Sequence, residues 1–358
     1  MNSRERVQMA LHHERPDRAP INFRSTDIVA ENLGKYYGKS YDELLEYYQV
    51  DFREVIPPYV GPAFEKSADG TFYDEWGVRR RERITGHSRD LYVDLNPLGD
   101  VEDDDDMDKV LSYKWPTPDA YDYSAVERLC DQYEGYAICG PGIHCEGYHG
   151  VFHQLTYLFG MENAMILLMS EEEMMQEAVR RVTDFWVGYY DRLLTASKGK
   201  MDFIFYKDDM GTQNSLMINR DVFMTYFAPG LKELCDMADS HNATLIYHTC
   251  GSVMPLIPDF IDAGVRVLDP IQTSAKNMDI HVLKEKFGDK LTFHGGMDTQ
   301  QDLPNLKPDA IRELTKETLS VLGKDGGYFF SPSHRIQQDT PLENIDAMYD
   351  VALNWNEY

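Results

Sequence analysis

No stretch of about 18 apolar residues occurs in the 358-residue chain, so no segment reads as a membrane-spanning helix. The amino terminus, "MNSRERVQMALHHERPDRAP", has no apolar core of the kind a secretory signal carries, and a cytoplasmic protein is expected. Cysteine is scarce. Cys130, Cys139, Cys145, Cys235 and Cys250 are odd in number and irregularly spaced, which argues against a disulfide framework and for a reducing compartment. Positive charge is in deficit: 35 Lys and Arg against 61 Asp and Glu leave a net charge of -26. A nucleic-acid partner needs a basic footprint, so that class is excluded. The densest acidic run, "DVEDDDDMDK" at 100–109, lacks the central glycine and closing glutamate of an EF-hand and reads as an exposed loop or helix start.

The chain does contain a regular alternation. Eight short apolar runs read as strands: 19–23, 52–58, 136–142, 203–209, 244–250, 265–270, 291–296 and 328–333. Amphipathic stretches at 171–196, 220–240, 255–263, 279–287, 308–322 and 341–355 read as helices, and Ser170 with Glu173 has the spacing of a capping box. Strand and helix in turn predict an α/β fold, a (β/α)₈ TIM barrel occupying residues 1–358 as one domain. A doubly wound nucleotide-binding sheet would carry a glycine-rich turn after its first strand, where "NFRSTD" stands instead. Residues 70–98 break the pattern with short strands and turns, and an antiparallel insertion is expected there.

Active-site groups of parallel barrels sit at the C-terminal ends of the strands. Here those ends are polar: Asp208, Asp209, Gln213 and Asn214 after the fourth run, His248 and Cys250 at the fifth, Asp269 and Gln272 at the sixth, His294 at the seventh, Ser333 and His334 at the eighth. Buried polar residues need partners or a function. After the third run, "GPGIHCEGYHGVFH" holds His144, Cys145, Glu146, His149 and His153. His149 is followed by Gly150, so no HExxH motif exists, and Tyr148 and His149 read as substrate-pocket lining. In "LIYHTCGS", His248 and Cys250 are two apart and share a face of a strand. They are either a packed histidine and an inert thiol or two ligands of an open zinc site. The third ligand would come from His334, His294, Asp208 or Asp209.

These residues also carry a resemblance. With "DDMGTQNSLMI", "HTCGSVMPLIPDFIDAGVRVLDPIQTSA", "FHGGMDTQ" and "GGYFFSPSHRIQQDTPLENI", the chain resembles the uroporphyrinogen decarboxylase superfamily and, within it, the cobalamin-dependent methyltransferases. Members are (β/α)₈ barrels. The decarboxylase carries an arginine-rich "RQAGR" segment that grips substrate carboxylates; here Arg24 is the only arginine at that place. The methyltransferase branch binds zinc through His-x-Cys and a cysteine at the end of the last strand. The resemblance therefore implies ligands His248 and Cys250, with His334 standing where thiol-directed members have cysteine. Two imidazoles and one thiolate leave zinc a stronger Lewis acid, suited to polarising an ether oxygen.

The implied activity is removal of a methyl group from a small methylated substrate, a methoxylated aromatic first. The acceptor is the Co(I) of a cobalamin-type corrinoid on a partner protein. Expected catalytic residues are His294, Asp208 and Asp209, and expected substrate contacts are Tyr148, His149, Tyr206, Gln213, Tyr247, Gln272, Phe23 and Arg24. Competing readings are a metal-free decarboxylase or lyase of a small acid, methyl transfer from a methylcobamide to a thiol, and a catalytically idle binding protein.

Overall fold

Short runs of aromatic and β-branched residues such as "FIFYK" and "TLIYH" bury on both faces, as strands of a parallel sheet enclosed by helices do. The computed structural model describes residues 1–84, 89–144, 150–170 and 172–355, and ten strands form in it. In chain order they are β1 (Phe52–Glu54), β2 (Thr71–Tyr73), β3 (Arg79–Ile84), β4 (Arg89–Leu95), β5 (Ala137–Cys139), β6 (Phe203–Lys207), β7 (Thr244–His248), β8 (Val267–Ile271), β9 (Thr292–Met297) and β10 (Tyr328–Pro332). Seven of them form a curled parallel sheet in the order β1-β5-β6-β7-β8-β9-β10.

The first predicted strand, 19–23, is the exception. It supplies a single parallel bridge, Ile21 to Phe330, instead of a ladder. Pro20 has no N–H to donate, and the Ile21 N–H is taken by the Asp51 carboxylate at 2.7 Å. The segment still closes the ring. Asn22 N–H donates to the Phe330 carbonyl on one side, and Asp51 N–H donates to the Ile21 carbonyl on the other. Asp51 is fully buried, and Arg6 and Arg18 reach it at 2.6 and 2.7 Å. Removing that carboxylate would leave the buried Arg18 without an ion pair among the described residues, while Arg6 keeps Asp17, at a cost of about 3–5 kcal/mol for the broken buried pair.

Alternation along the strands sorts side chains between barrel interior and helical layer. Phe52, Phe203 and Phe329 meet inside, with ring centroids 5.3–6.0 Å apart. Tyr247 instead points outward onto Phe260 of the helix Ile257–Asp262.

The helices fall close to their predicted places, including Glu172–Ser197, Ile280–Phe287, Pro308–Leu322 and Leu342–Asn354. The predicted helix 220–240 contains a π-turn, Phe223–Phe227, just before Pro229. Proline removes one backbone donor, and the wider turn absorbs that loss. Ser170 ends the helix Met161–Ser170, where its hydroxyl donates to the Ile166 carbonyl, and residue 171, inside the expected capping box, lies outside the described residues. The acidic run 100–109 is a short 3₁₀ turn leading into Met107–Leu111, largely exposed as expected.

The antiparallel insertion forms as expected: β2, β3 and β4 make a three-stranded sheet between β1 and β5. Trp76, in the turn between β2 and β3, stacks edge-on against Phe185 at 4.7 Å and pins the insertion to the long helix Glu172–Ser197. Among the described residues, no helix is long and apolar enough to cross a membrane.

Candidate metal centre

His248 ends β7, and its ring points into the barrel mouth by strand alternation. Cys250 lies two residues further, beyond the strand, where its position depends on the turn that follows. Gly251 adopts φ +91°, and a Cβ there would meet the Gly211 carbonyl carbon at 2.5 Å. Only glycine fits that conformation beside a crossing backbone. Gln272 accepts from Gly251 N–H at 2.8 Å and donates to Gln213 at 3.1 Å, tying three strand-end loops together. Gln213 and Gln272 thus brace the turn that carries Cys250.

Three side chains converge. One ligand atom each from His248, Cys250 and His334 lie within 4.8 Å of one another, the one such group found among the described residues. The Cys250 sulfur is 3.3 Å from His248 Nε2. His248 is fully buried, while Cys250 and His334 are partly open to the mouth.

Behind this trio stands Asp269, on β8. Its carboxylate holds the His248 Nδ1–H in a short hydrogen bond, which leaves Nε2 as a lone-pair donor facing the sulfur. Arg24 donates to both oxygens of the same carboxylate, at 3.1 and 3.0 Å. His294 Nδ1 lies 2.8 Å from Asp269 Oδ1 at an angle outside hydrogen-bond geometry.

Asn22 fixes the His294 ring. Its Oδ1 accepts from the Phe23 N–H at 2.9 Å, so its amide nitrogen is what faces His294 Nε2, at 3.2 Å. That amide can only donate, so the ring proton sits on Nδ1, toward Asp269. Asn22 Oδ1 also lies 2.8 Å from His144 Nε2.

The electrostatics suit a cation. Burial raises the Asp269 carboxyl, but Arg24, His294 and His248 outweigh it and hold it well below the usual carboxylate range. Burial lowers the His248 imidazole more than Asp269 raises it, and burial, Arg24 and His248 push His334 well down. Both rings are therefore uncharged donors. Burial, then Asp209, pushes the Cys250 thiol well up, so a metal ion arriving there must displace a proton. Two neutral imidazoles, one thiol and a carboxylate behind the first imidazole are a donor set that fits zinc with an open fourth position.

Several expected site residues stand elsewhere. Asp208 is buried under the helix Val151–Phe159, where it accepts from the N–H groups of Phe152 and His153 at 2.8 and 3.0 Å. It caps that helix and does not orient a ligand histidine. Asp209 does reach the centre: its Oδ1 accepts from Cys250 N–H at 2.8 Å and lies 3.6 Å from His248 Nε2. His294 packs between Phe52 and Phe329 behind Asp269, away from the ligand atoms. Tyr206, Tyr247 and Phe23 are not among the described residues that line the cavity beside the centre. Strand alternation turns Tyr206 and Tyr247 toward the helices, and Phe23 stacks on Tyr48 and packs at a tilt against Tyr349. Tyr148 and His149, with Cys145 and Glu146, lie outside the described residues.

Sequence reasoning missed Asp269 as the orienting carboxylate and Lys207 beside the centre. Lys207 is paired in register with His248 across β6 and β7, and its charge opposes the rise of the Cys250 thiol. A lysine ending a buried strand was the available signal. Asn22 had none, since its importance depends on which rings it faces.

Next to the centre, a cavity of about 1370 Å³ lies between the barrel mouth, the helix Asp27–Tyr37 and the insertion. Its lining omits His248, Cys250 and His334, but it reaches the mouth at Ser25, His144 and Arg335, next in sequence to His334. Phe64, Phe72, Trp76, Tyr157 and Trp186 give it aromatic walls.

Residues 145–355, more than half of the chain, match the family described as Uroporphyrinogen decarboxylase (URO-D). A uroporphyrinogen decarboxylase of Coxiella burnetii (strain Dugway 5J108-111) is 20% identical over 193 residues, 54% of this chain and 51% of that protein. One from Wigglesworthia glossinidia brevipalpis is 30% identical over 78 residues, 22% of this chain and 21% of that protein. The chain thus spans about half the length, or less, of the curated relatives it matches. In structure it is similar to a methyltransferase from Methanosarcina mazei, with a TM-score of 0.71, 17% identity and 98% of each chain covered. That likeness is one of fold.

Proposed function

The chain belongs to the uroporphyrinogen decarboxylase family, and we propose that within it this protein is a zinc-dependent methyltransferase acting on a methylated oxygen substrate, a methoxylated aromatic first. The methyl acceptor in this reading is the Co(I) corrinoid of a partner protein. The observation that carries it is the convergence of His248, Cys250 and His334, with Asp269 behind the first. Zinc held there would act as a Lewis acid toward the methyl-bearing oxygen and stabilise the charge that oxygen gains as it leaves.

The protein's own groups prepare that chemistry. Asp269 keeps the proton of His248 on Nδ1, and Arg24 keeps Asp269 ionised. Asp209 anchors the Cys250 backbone. Lys207 offsets the local negative charge as the thiol loses its proton. Arg24 gives its Nη1 to Asp269 and is only 4% exposed, which leaves little guanidinium surface for a substrate carboxylate and argues against decarboxylation of a small acid. The fold is shared with a protein named a methyltransferase, and methyl transfer is the reaction to test first.

The experiment is elemental analysis of the purified protein, followed by an assay of methylcobalamin formation from methoxylated aromatics and a Co(I) corrinoid protein. About one zinc per chain is expected, and His248→Ala should abolish both zinc and turnover. Protein that neither contains nor takes up zinc, or that turns over without a corrinoid, defeats the reading.

A further inference from the structure

The cavity beside the metal centre has polar features that its aromatic walls do not explain. Gln154, 3% exposed, lines it, and its buried amide nitrogen has no hydrogen-bond partner among the described residues. Ser25 brings a hydroxyl that is equally unpartnered. A buried donor left unsatisfied costs about 1–3 kcal/mol, so both groups call for an acceptor that the protein does not supply.

Two adjacent acids differ sharply. Asp74 is fully engaged: Arg80 reaches it at 2.8 Å, and the N–H groups of Trp76 and Val78 donate to it. Glu75 has the Tyr121 hydroxyl on one oxygen at 3.2 Å, and no cation pairs with it among the described residues. Burial, with Asp74 beside it, raises its carboxyl. The lining thus includes one carboxyl group, Glu75, in no ion pair among the described residues; Arg80, held by Asp74, lowers it from a distance, and Lys35, Lys39 and Arg335 line other parts of the cavity.

These features select a ligand. Aromatic walls favour a flat apolar body. Gln154 and Ser25 favour one that presents an acceptor oxygen. Glu75 favours one with a hydrogen-bond donor and disfavours any carboxylate, whose charge would be buried beside another acid. A quaternary ammonium would suit the rings and Glu75, but its nitrogen has no lone pair for a Lewis acid at the adjoining centre to polarise. We propose that the cavity is the site for the organic part of the substrate, and that it takes an uncharged, ring-hydroxylated aryl methyl ether in preference to a carboxylated one, with Glu75 and Gln154 as the residues that set this choice. The inference rests on the methyl-transfer reading for the ether, and on the cavity alone for the discrimination.

Calorimetric titration of the full chain, with and without zinc, tests it. The probes are 2-methoxyphenol, methoxybenzene and 4-methoxybenzoate. Methoxyphenol should bind at least about tenfold tighter than methoxybenzoate, the size of one hydrogen bond to a charged group. Glu75→Gln, which can still accept from Tyr121, should bring the two toward parity, and Gln154→Leu should weaken methoxyphenol and methoxybenzene alike. Equal or tighter binding of the benzoate, no binding of any probe, or a preference untouched by Glu75→Gln overturns the proposal. If methoxyphenol binds in this Glu75-dependent way and no methyl group reaches cobalt, the proposed reaction fails while the ligand assignment stands.

Discussion

The Asp269 carboxylate holds the Nδ1–H of His248, and solvent reaches neither side chain. The pair is joined by Arg24, so one buried acid serves two cationic or proton-bearing partners at once. Replacing Asp269 with asparagine keeps the shape and removes the charge. Arg24 is then left buried and unpaired, which should cost about 3–5 kcal/mol in a denaturant titration. Zinc affinity, read by competition with a chromophoric chelator, should fall about 10- to 100-fold. Unchanged affinity would mean that Asp269 does not orient a ligand.

Zinc binding should release a proton. The Cys250 thiol is pushed up by burial and by Asp209, so it enters the site protonated, whereas the His248 and His334 rings enter already neutral. Affinity should therefore rise with pH across the neutral range, by about tenfold per pH unit for one proton. Titrations in buffers of different ionisation enthalpy count the proton directly. Cys250→Ser should abolish the pH dependence along with most of the binding.

His153 makes a separate, structural contribution to pH dependence. Burial opposes its charge, but Asp208 and Asp209 outweigh burial and lift the imidazole to about 9. A group raised in the folded state stabilises fully below its unfolded value, about 6.5, and loses that contribution as pH climbs through 9. Stability should decline between those limits, and His153→Gln should flatten the decline. Urea midpoints of both proteins across that range settle the matter.

Gly251→Ala should damage the centre without touching a ligand. The added Cβ would sit 2.5 Å from the Gly211 backbone at φ +91°. Strain of this kind costs on the order of 1–3 kcal/mol. The turn can relieve it only by moving Cys250, so weaker zinc binding should accompany the lower melting temperature. A melting shift with zinc affinity intact would separate the turn from the centre.

The residue sequence alone determined the broad plan. Apolar runs alternating with amphipathic stretches specify parallel strands under helices, because each element must bury its apolar face against the next. The break at 70–98 marked the insertion for the same reason. The spacing of His248 and Cys250 put two donors on one side of the chain, and strand ends pointed to a common mouth. Alternation was legible too, and applied strictly it would have turned Tyr206 and Tyr247 outward.

Only the tertiary structure decided the rest. Arg24 and Asp269 are 245 residues apart, and nothing local to either marks the other as its partner. Asp269, not Asp208, backs His248, because the Asp208 carboxylate is drawn to the free N–H groups of the helix Val151–Phe159. Pro20 and Asp51 reduced the first strand to one bridge. The cavity, with Glu75 in its lining, exists because the insertion folds back over the barrel mouth. Closure of the sheet brings distant strand ends together, and the pairing of charges across that mouth follows from the closed shape, not from the order of residues.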